Sequence, residues 1–548
     1  MKKLFLLIAP LLLCADVTLL QLQQSPKGHV RDFHLWQYMQ RDINASCADT
    51  AYSLLNKANS KIFKVYAKKT RLVSIKTQDQ CNKGDLNFLL KQKDADCINQ
   101  GLSYKKAMGL SVNQRSYFSN ILKNKHPKKS NRIELMSKRP FLVNLLESGS
   151  DDFLKLFDSL GTDNRHRYFN VKLCKEHINK LAEDKRFNRA IKLIVTDAKM
   201  HNIQQALLQL DEHNLSAQSY LFLALNALKF KELQLVKHYL NASYDKAYYR
   251  MNKDRALFWK FLIFDDFKDL KQLSASSDIN IYTLYAKEKL HIETTNYFTS
   301  LSLEDRPSIC NLTDPYVWED LVSKIRKASK EELENMLQSF NSKEDEVLHA
   351  FIYSKSMDYE KHNYILPYKE TMQTLSNDDK ALIYALGRQE SHFIPSAISR
   401  SYALGVMQIM PFLIKSLSKQ KKESLELNEM FDPHKNIQYA ATHLKYLQKH
   451  LYHPLFIAYA YNGGIGFTKR HLLKGTFLKK KYEPYLSMEL MANTESREYG
   501  KKVLANYVIY KQILGEEVSL TSLFESLVEP SRTDRFRMKV LALKNLSH

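Results

Sequence analysis

The stretch that decides the fold of the carboxyl-terminal part is GRQESHF, Gly387–Phe393, which places one carboxylic acid near the end of a predicted helix. That helix is predicted to begin after Ser376, whose side chain can cap the first turn. Leu382 and Leu386 follow at helical spacing, and Glu390 lies on the same apolar face. Partial burial disfavours the ionised carboxyl and predicts a pKa raised toward about 6. The sequence therefore predicts an inward-facing acid that could donate a proton near neutral pH.

The long segment before this helix has the composition of a helical array. No glycine occurs between Gly161 and Gly387, whereas domains rich in β structure need turn residues at short intervals. Two neighbouring segments, Ser216–Leu228 and Lys231–Leu240, carry apolar residues at helical spacing and predict a helical hairpin. A series of such hairpins without a strict repeat period predicts a degenerate α-solenoid.

Length and charge restrict the class of protein. At 548 residues the chain is too long for one compact core, so two or more domains are expected. The net charge of +23 favours polyanionic partners such as nucleic acid, anionic lipid or a cell wall whose peptides carry carboxylates. The basic residues are dispersed, and the sequence has no zinc-finger spacing, RNP-type motif or P-loop, so nucleic acid is not the favoured partner.

The amino terminus has the pattern of a secretory signal peptide, because two lysines precede the apolar run Leu4–Leu13. Cleavage is predicted after Ala15, and the run is too short for a stable membrane span. Cys14 raises the alternative of lipid attachment, which the large side chain before it disfavours. The protein is therefore expected in the periplasm, either soluble or in peripheral association with the wall or the outer membrane.

The cysteines and histidines predict no metal site and no catalytic thiol. Cys81 and Cys97 could close a small loop in an exported protein, although the sequence does not fix the pairing. His443, His450 and His453 lie close together in sequence, but they lack the spacing of a zinc site and are expected in or near a solvated face.

Four motifs follow one another from the acid onward. They are ESHFIPSAIS at Glu390–Ser399, GVMQIMP at Gly405–Pro411, AYNGGIG at Ala460–Gly466 and ESREY at Glu495–Tyr499. In this order they resemble the motifs of the soluble lytic transglycosylases, which are exported, lysozyme-like, murein-cleaving enzymes. The resemblance spans roughly residues 375–515. It implies a lysozyme-like α domain at the carboxyl end, preceded by a superhelical, ring-forming helical region.

The resemblance implies a reaction with a single catalytic acid. Glu390 would protonate the glycosidic oxygen of the MurNAc–GlcNAc β-1,4 bond of peptidoglycan, and the substrate's own N-acetyl group would stabilise the sugar cation. Glu390 would then deprotonate the muramyl 6-hydroxyl, giving a 1,6-anhydromuramyl end without a metal or cofactor. The residues themselves leave two alternatives open: a lysozyme-type hydrolase with a distant second carboxylate and water as acceptor, and a non-catalytic helical scaffold that binds the wall.

Six further residues match positions that line the sugar cleft of the family, and the resemblance implies that they bind substrate: Ser399, Gln408, Met410, Tyr461, Asn462 and Glu495. Hydroxyl and amide groups can bond the acetamido and hydroxyl groups of a sugar, while a thioether offers an adaptable apolar surface. Gln408 lies within an apolar run, so its amide needs a partner. Simpler interpretations are a cap, a surface amide, core side chains and an exposed acid at a helix start.

Three residues depart from the family pattern. Tyr402 stands where the family usually has glycine, Gly463 replaces the commoner alanine, and Ile465 replaces a proline. The loop after Ser399 is therefore expected to adopt another shape. These changes concern the wall of the cleft and its fine specificity rather than the acid.

The predicted architecture is all-α. Residues 1–15 form the signal peptide, 16–365 the α-solenoid or superhelical region, 366–515 the lysozyme-like transglycosylase domain and 516–548 a tail. The expected function is that of an exported murein lytic transglycosylase, with peptidoglycan glycan strands as partner and no nucleic acid.

Overall fold

A computed structural model of the chain describes residues 17–211 and 213–546, the side chains of residues 542–546 excepted. The predicted signal peptide and Cys14 lie outside the described residues. Almost all regular structure in the described part is helical, which confirms the predicted all-α class. Its one sheet pairs two parallel strands of two residues each, β1 (Tyr297–Phe298) and β2 (His362–Asn363).

Among the described residues, twenty-one α-helices precede β1. They are α1 (Leu19–Gln24), α2 (His29–Gln40), α3 (Ala45–Ser53), α4 (Ser60–Lys69), α5 (Val73–Lys83), α6 (Leu86–Leu89), α7 (Ala95–Gly101), α8 (Tyr104–Met108), α9 (Val112–Leu122), α10 (Pro127–Leu135), α11 (Phe141–Glu147), α12 (Ser150–Ser159), α13 (Thr162–Tyr168), α14 (Lys175–Ala182), α15 (Phe187–Val195), α16 (His201–Ala206), α17 (Ala217–Lys229), α18 (Leu233–Asp245), α19 (Arg250–Phe264), α20 (Phe267–Ser274) and α21 (Ile281–Lys289).

In the described part of the chain, thirteen α-helices follow β1. They are α22 (Pro315–Lys327), α23 (Lys330–Ser339), α24 (Glu346–Ser356), α25 (Asn377–Ser391), α26 (Pro411–Lys421), α27 (Pro433–Gln448), α28 (Pro454–Gly463), α29 (Ile465–Leu472), α30 (Tyr485–Glu489), α31 (Thr494–Ile513), α32 (Leu520–Ser526), α33 (Pro530–Thr533) and α34 (Arg535–Leu546). The structure as described also contains four short 3₁₀ helices, at Leu207–Gln209, Lys343–Asp345, Lys369–Met372 and Leu427–Phe431.

The chain divides into two compact units whose segments alternate along the sequence. The first unit takes its described residues from Met1–Arg71, Thr295–Ile465 and Lys502–Val518, and the second takes them from Leu72–Thr294, Gly466–Lys501 and Ser519–His548. Neither division falls at residue 366 or 516, and the predicted domain boundaries stay predictions.

The second unit contains the array of helices that the glycine-free segment predicts. The predicted hairpin is present as α17 and α18, with Ser216 accepting a hydrogen bond from the backbone N–H of Ser219 at the start of α17. Each helix from α17 to α20 packs on the next one in the chain. Cys81 and Cys97 form a disulfide that joins α5 to α7. Successive pairing of short amphipathic helices is the local arrangement expected of a solenoid.

The first unit is organised around α25, the helix that carries Glu390. Residues Ala381–Gly387 of this helix are buried. The side chain of Asn506 crosses to α25 from α31, where it donates to the Ala385 carbonyl and accepts from the Arg388 guanidinium at 2.7 Å. The Tyr364 hydroxyl also donates to Asn506. One buried amide therefore fixes the position of the last turns of α25.

Candidate active site

The acid lies in the last turn of a well-defined helix. Ser376 caps α25 by accepting from the backbone N–H of Asp379 at 3.2 Å, as the sequence predicts. The helix ends at His392, whose φ of 53° lies in the left-handed region. Glu390 is half-buried, which confirms that it does not lie on a fully solvated face.

Gly387 allows α25 to contact the loop that follows it. A Cβ atom at this position would lie 2.9 Å from the Phe393 ring and 3.3 Å from the Met407 sulfur. Any larger residue would push the loop away from the helix, one turn before the acid. This glycine therefore brings the residues around Met407 close to the end of α25.

Residues 397–410, called the site loop here, form a compact folded-back structure. Isolated bridges pair Ile398 with Leu404 and Leu404 with Ile409. The Gln408 side-chain amide donates to the carbonyls of Ala397 at 2.9 Å and Gly405 at 2.8 Å. The partner that Gln408 requires is therefore the backbone of its own loop.

A single buried amide from α27 fixes the other side of the site loop. Asn436 accepts from the backbone N–H of Met407 at 2.8 Å and donates to the carbonyls of Leu404 and Met430 at 3.0 Å each. Gly405 passes directly over this amide with a φ of 76°, and a Cβ there would lie 2.3 Å from the Asn436 nitrogen. Only glycine fits both the backbone conformation and the contact.

Two hydroxyl groups connect the loop to the neighbourhood of the acid. The Ser391 hydroxyl donates to the Val406 carbonyl, and the Tyr461 hydroxyl donates to the Met407 carbonyl, each at 2.8 Å. Burial raises the pKa of Tyr461 well above its usual value, and the negative charge of the nearby Glu390 raises it further. Glu390, Tyr461 and the site loop thus form one cluster, with the tyrosine hydroxyl neutral.

His443 belongs to this cluster, although the sequence analysis expected it in or near a solvated face. It is half-buried, its ring centroid lies 5.8 Å from that of Tyr461, and burial lowers its pKa. Asn436, Ala440 and Leu447 mark the buried face of α27, and His443 follows Asn436 by seven residues, which is two helical turns. Helical periodicity in α27 was the signal that could have found it.

The other residues predicted to bind substrate in the first unit have structural contacts of their own. The Ser399 hydroxyl accepts from the backbone N–H groups of Ser401 and Ala403, so it closes a turn at the tip of the site loop. Met410 is the residue before α26, and Asn462 lies in the last turn of α28 beside Tyr461. Both side chains are half-buried.

The packing of the Tyr402 side chain explains why tyrosine, rather than glycine, stands at this position. Its φ of 62° is left-handed, the conformation for which glycine is favoured, and its side chain is fully buried. The ring lies 5.4 Å from that of His29 and 5.0 Å from that of Trp36, both in α2. Burial of an aromatic ring among others offsets the backbone strain, so the loop is anchored to the amino-terminal helices.

Three polar contacts reinforce that anchor. The Asn59 amide donates to the Tyr402 hydroxyl at 3.1 Å, and the Lys61 ammonium donates to the Ser401 carbonyl at 2.6 Å. The His29 imidazole donates to the Ser399 carbonyl at 2.9 Å. The sequence gives no sign of these pairs, because each joins residues more than three hundred positions apart.

Glu495 lies in the second unit and is exposed at the start of α31. Its motif neighbours are buried in a charged cluster of that unit. Arg497 and Glu498 form an ion pair, Glu498 also pairs with Arg255, and Lys501 pairs with Glu489 at 2.9 Å. Most of the ESREY motif therefore has a structural role in the second unit.

Among the described residues, no group of three or more His, Cys, Asp or Glu side chains is arranged to hold a metal ion. Within residues 17–546, no helix combines the length and the apolar character that a membrane crossing requires.

Comparison with known proteins identifies the segment around the acid. Residues 368–483 match the family model described as Transglycosylase SLT domain, a range that contains Glu390, the site loop, α27 and α28. The soluble lytic murein transglycosylase of Escherichia coli strain K12 is 27% identical over 217 residues, covering 38% of this chain and 33% of that protein. The membrane-bound lytic murein transglycosylase C of Edwardsiella ictaluri is 36% identical over 103 residues, covering 17% of this chain and 29% of that protein. The chain spans about a third of the length of the curated relatives it matches.

Solved structures with long alignments have low identity. An inactive mutant of the lytic transglycosylase Slt from Pseudomonas aeruginosa is 15% identical with a TM-score of 0.44, and covers 89% of this chain and 82% of its own. The 70-kDa soluble lytic transglycosylase in complex with bulgecin A is 17% identical with a TM-score of 0.47, and covers 90% and 82%.

Proposed function

We propose that this chain is a lyase that cleaves peptidoglycan, because residues 368–483 match the Transglycosylase SLT domain and the chain is similar to soluble lytic murein transglycosylases. The bond broken is the β-1,4 bond between MurNAc and GlcNAc, and the product carries a 1,6-anhydromuramyl end. The observation that carries the proposal is the half-buried Glu390, which lies beside Tyr461 at the end of α25, inside the matched segment.

Glu390 serves both proton transfers in this mechanism. Its carboxyl proton goes to the glycosidic oxygen as the bond to the muramyl C1 breaks, and the substrate's N-acetyl group stabilises the cation. The resulting carboxylate then takes the proton of the muramyl 6-hydroxyl, whose oxygen bonds to C1. The enzyme is regenerated without a water molecule, and general acid–base help of this kind contributes about 10²–10⁴-fold.

The neighbours of Glu390 keep the acid and the site loop in place. The Tyr461 hydroxyl donates its proton to the Met407 carbonyl and so holds the site loop. The same hydroxyl lies near the carboxyl group of Glu390. Burial lowers the pKa of His443, which favours the neutral imidazole beside the Tyr461 ring. A positioned acid with fixed surroundings is what proton transfer requires.

Substrate binding is assigned to Ser399, Gln408, Met410, Tyr461, Asn462 and Glu495. Gln408 donates its amide protons to the loop, so its amide oxygen is the atom proposed to accept from a sugar N–H. Ser399 accepts two backbone N–H groups, which leaves its hydroxyl proton to donate to a sugar oxygen. Glu495 keeps the substrate-binding role that the family resemblance implies for it.

We also propose that the protein acts in the periplasm, following export by residues 1–15, with peripheral association with the wall or outer membrane. The helical array of the second unit would form part of the superhelical region that accompanies the catalytic domain. Residues 366–515 remain the proposed catalytic domain, and α32–α34 occupy the segment proposed as a tail.

One experiment tests the proposed reaction. Purified protein is incubated with murein sacculi, and the masses of the released muropeptides are measured. Anhydro products lack one water relative to hydrolysis products, so transglycosylase and lysozyme-type hydrolase give different masses. Hydrolysis products would refute the proposed reaction, and the absence of released muropeptides would favour a wall-binding scaffold.

A further inference from the structure

The second unit contains a basic cavity that the proposed catalytic site does not use. Its volume is about 370 Å³, and the side chains that matter for its chemistry are Tyr104, His126, Lys128, Lys129, Arg132 and Lys155. This cavity lies between the start of α10 and the side of α12, which carries Lys155. The volume falls within the range of pockets that hold small organic molecules and exceeds what a single inorganic ion needs.

The positive charge of the cavity is only partly compensated. Arg132 is paired with Asp151 at 2.8 Å and with Asp152 at 2.7 Å, and Lys128 lies 3.8 Å from Asp151. His126 contacts Asp96. The carboxylates of Asp96, Asp151 and Asp152 therefore compensate part of the positive charge.

Lys129 and Lys155 have no carboxylate within ion-pair distance among the described residues. Lys129 is half-buried, and its ammonium donates to the Asn99 carbonyl at 2.5 Å and lies 5.8 Å from the centre of the Tyr104 ring. Burial lowers the pKa of Lys129 to about 8, and the charge of Lys155 contributes to the shift. A partly desolvated ammonium beside a second one is stabilised when an anion enters.

We propose that this basic cavity is an oxyanion site that binds a carboxylate of the peptides attached to murein strands. The anion would lie between the ammonium groups of Lys129 and Lys155, and the Tyr104 ring would contact the adjoining part of the peptide. The choice of a peptide carboxylate rests on the proposed function, since a murein-cleaving enzyme meets such groups on its substrate. The site would hold a strand by its peptides, away from the residues that cut the glycan.

The test measures binding of a defined probe to the full-length chain by calorimetry at low salt. The probe is the tripeptide L-Ala-γ-D-Glu-meso-diaminopimelate, compared with the same peptide amidated at every carboxyl group and with inorganic phosphate. Lys129→Gln and Lys155→Gln each remove one of the two unpaired charges. Lys123→Gln is the charge-matched control, because Lys123 is exposed at the end of α9 and does not line the cavity.

We expect the tripeptide to bind and the amidated peptide not to bind. Each cavity variant should weaken tripeptide binding by roughly tenfold or more, and the control by less than about twofold, because hydrogen bonds to charged groups are stronger than neutral ones. Equal losses in all three variants, binding of the amidated peptide, or absence of binding would overturn the proposal. Tighter binding of phosphate than of tripeptide would also overturn it, by assigning the cavity to a phosphate ligand.

The outcome is separable from that of the proposed function, since the binding assay requires no cleavage. Tripeptide binding by a protein that releases no anhydromuropeptides would refute the enzymatic proposal alone. Release of anhydromuropeptides by a protein whose basic cavity does not bind tripeptide would refute the cavity proposal alone.

Discussion

The Asn59 amide donates a hydrogen bond to the hydroxyl of Tyr402 at 3.1 Å, joining the start of α4 to the site loop that follows Glu390. The ring that carries this hydroxyl is fully buried against α2. The amino-terminal helices are therefore part of the support of the candidate site, even though they lie far from it in sequence.

Substitution of Tyr402 should separate its three contributions. Tyr402→Phe removes only the hydrogen bond with Asn59 and should lower the free energy of unfolding by about 1 kcal/mol. Tyr402→Ala also removes the buried ring and should cost about 3–5 kcal/mol. Tyr402→Gly loses the same ring but relieves the left-handed backbone, so it should be more stable than Tyr402→Ala by about 1–2 kcal/mol. Urea unfolding of the three variants measures these differences, and alanine and glycine variants of equal stability would contradict the backbone argument.

Glu390→Gln should abolish the release of anhydromuropeptides while leaving the fold intact. Glutamine matches the shape of the half-buried side chain but can neither donate a proton as an acid nor accept one as a base. The rate should fall by at least about 10²–10⁴-fold, since in the proposed mechanism one group performs both transfers. Glu370→Gln, at an exposed position in the same unit, is the control and should keep full activity. A near wild-type rate in Glu390→Gln would show that another residue is the acid.

Gly405→Ala should destabilise the protein more than the same change at Gly515. Both glycines have left-handed backbones, with φ of 76° and 79°, so alanine pays a conformational cost of about 1–2 kcal/mol at either position. Only at Gly405 does the new Cβ collide with Asn436 and with the Met430 carbonyl, which adds about 1–3 kcal/mol. Thermal or urea unfolding of the two variants gives the comparison, and equal losses would mean that the site loop yields to the extra methyl group.

Asp254 should make stability decrease as pH rises through the weakly acidic range. Burial raises the pKa of this carboxyl to about 7, while its ordinary value is about 3.9. Between these two values the folded protein binds more protons than the unfolded chain, so the free energy of unfolding falls as pH rises. The slope from this one group is at most about 1.4 kcal/mol per pH unit.

The matched variants isolate the contribution of Asp254. Asp254→Asn should flatten the pH dependence of the free energy of unfolding between about pH 4 and 7, because the amide does not titrate. It retains an oxygen to accept the 2.7 Å hydrogen bond from Asn280. Asp163→Asn, at an exposed position of the same unit, should leave the slope unchanged. An unaltered slope in Asp254→Asn would mean that the carboxyl is not buried in solution.

Features that depend on short stretches of chain could be predicted from the sequence. The cap at Ser376, the half-buried position of Glu390 and the α17–α18 hairpin follow from spacing within one or two helices. The disulfide between Cys81 and Cys97 is a pairing that the sequence allows over a short loop, although the sequence alone does not fix it. In each of these cases the physical cause lies within a few turns of the residue concerned.

Features that depend on distant contacts could not be predicted. The reason for Tyr402 is visible only when α2 and α4 lie against the site loop, and no pattern around residue 402 carries that information. The division into two compact units built from alternating segments could not be predicted either, because sequence order suggests consecutive domains. The partial burial of His443 could be predicted from the periodicity of α27. Its proximity to Tyr461 could not be predicted in this way.

The three hydrogen bonds of Asn436 have a consequence for the entropy of substrate binding. Since one amide on α27 satisfies backbone groups from Leu404, Met407 and Met430, the site loop is ordered before any ligand arrives. A disordered loop would have to be immobilised at the moment of binding, at a cost that reduces affinity. Here the loop is ordered during folding, so the contacts that it makes with a bound ligand contribute more fully to affinity.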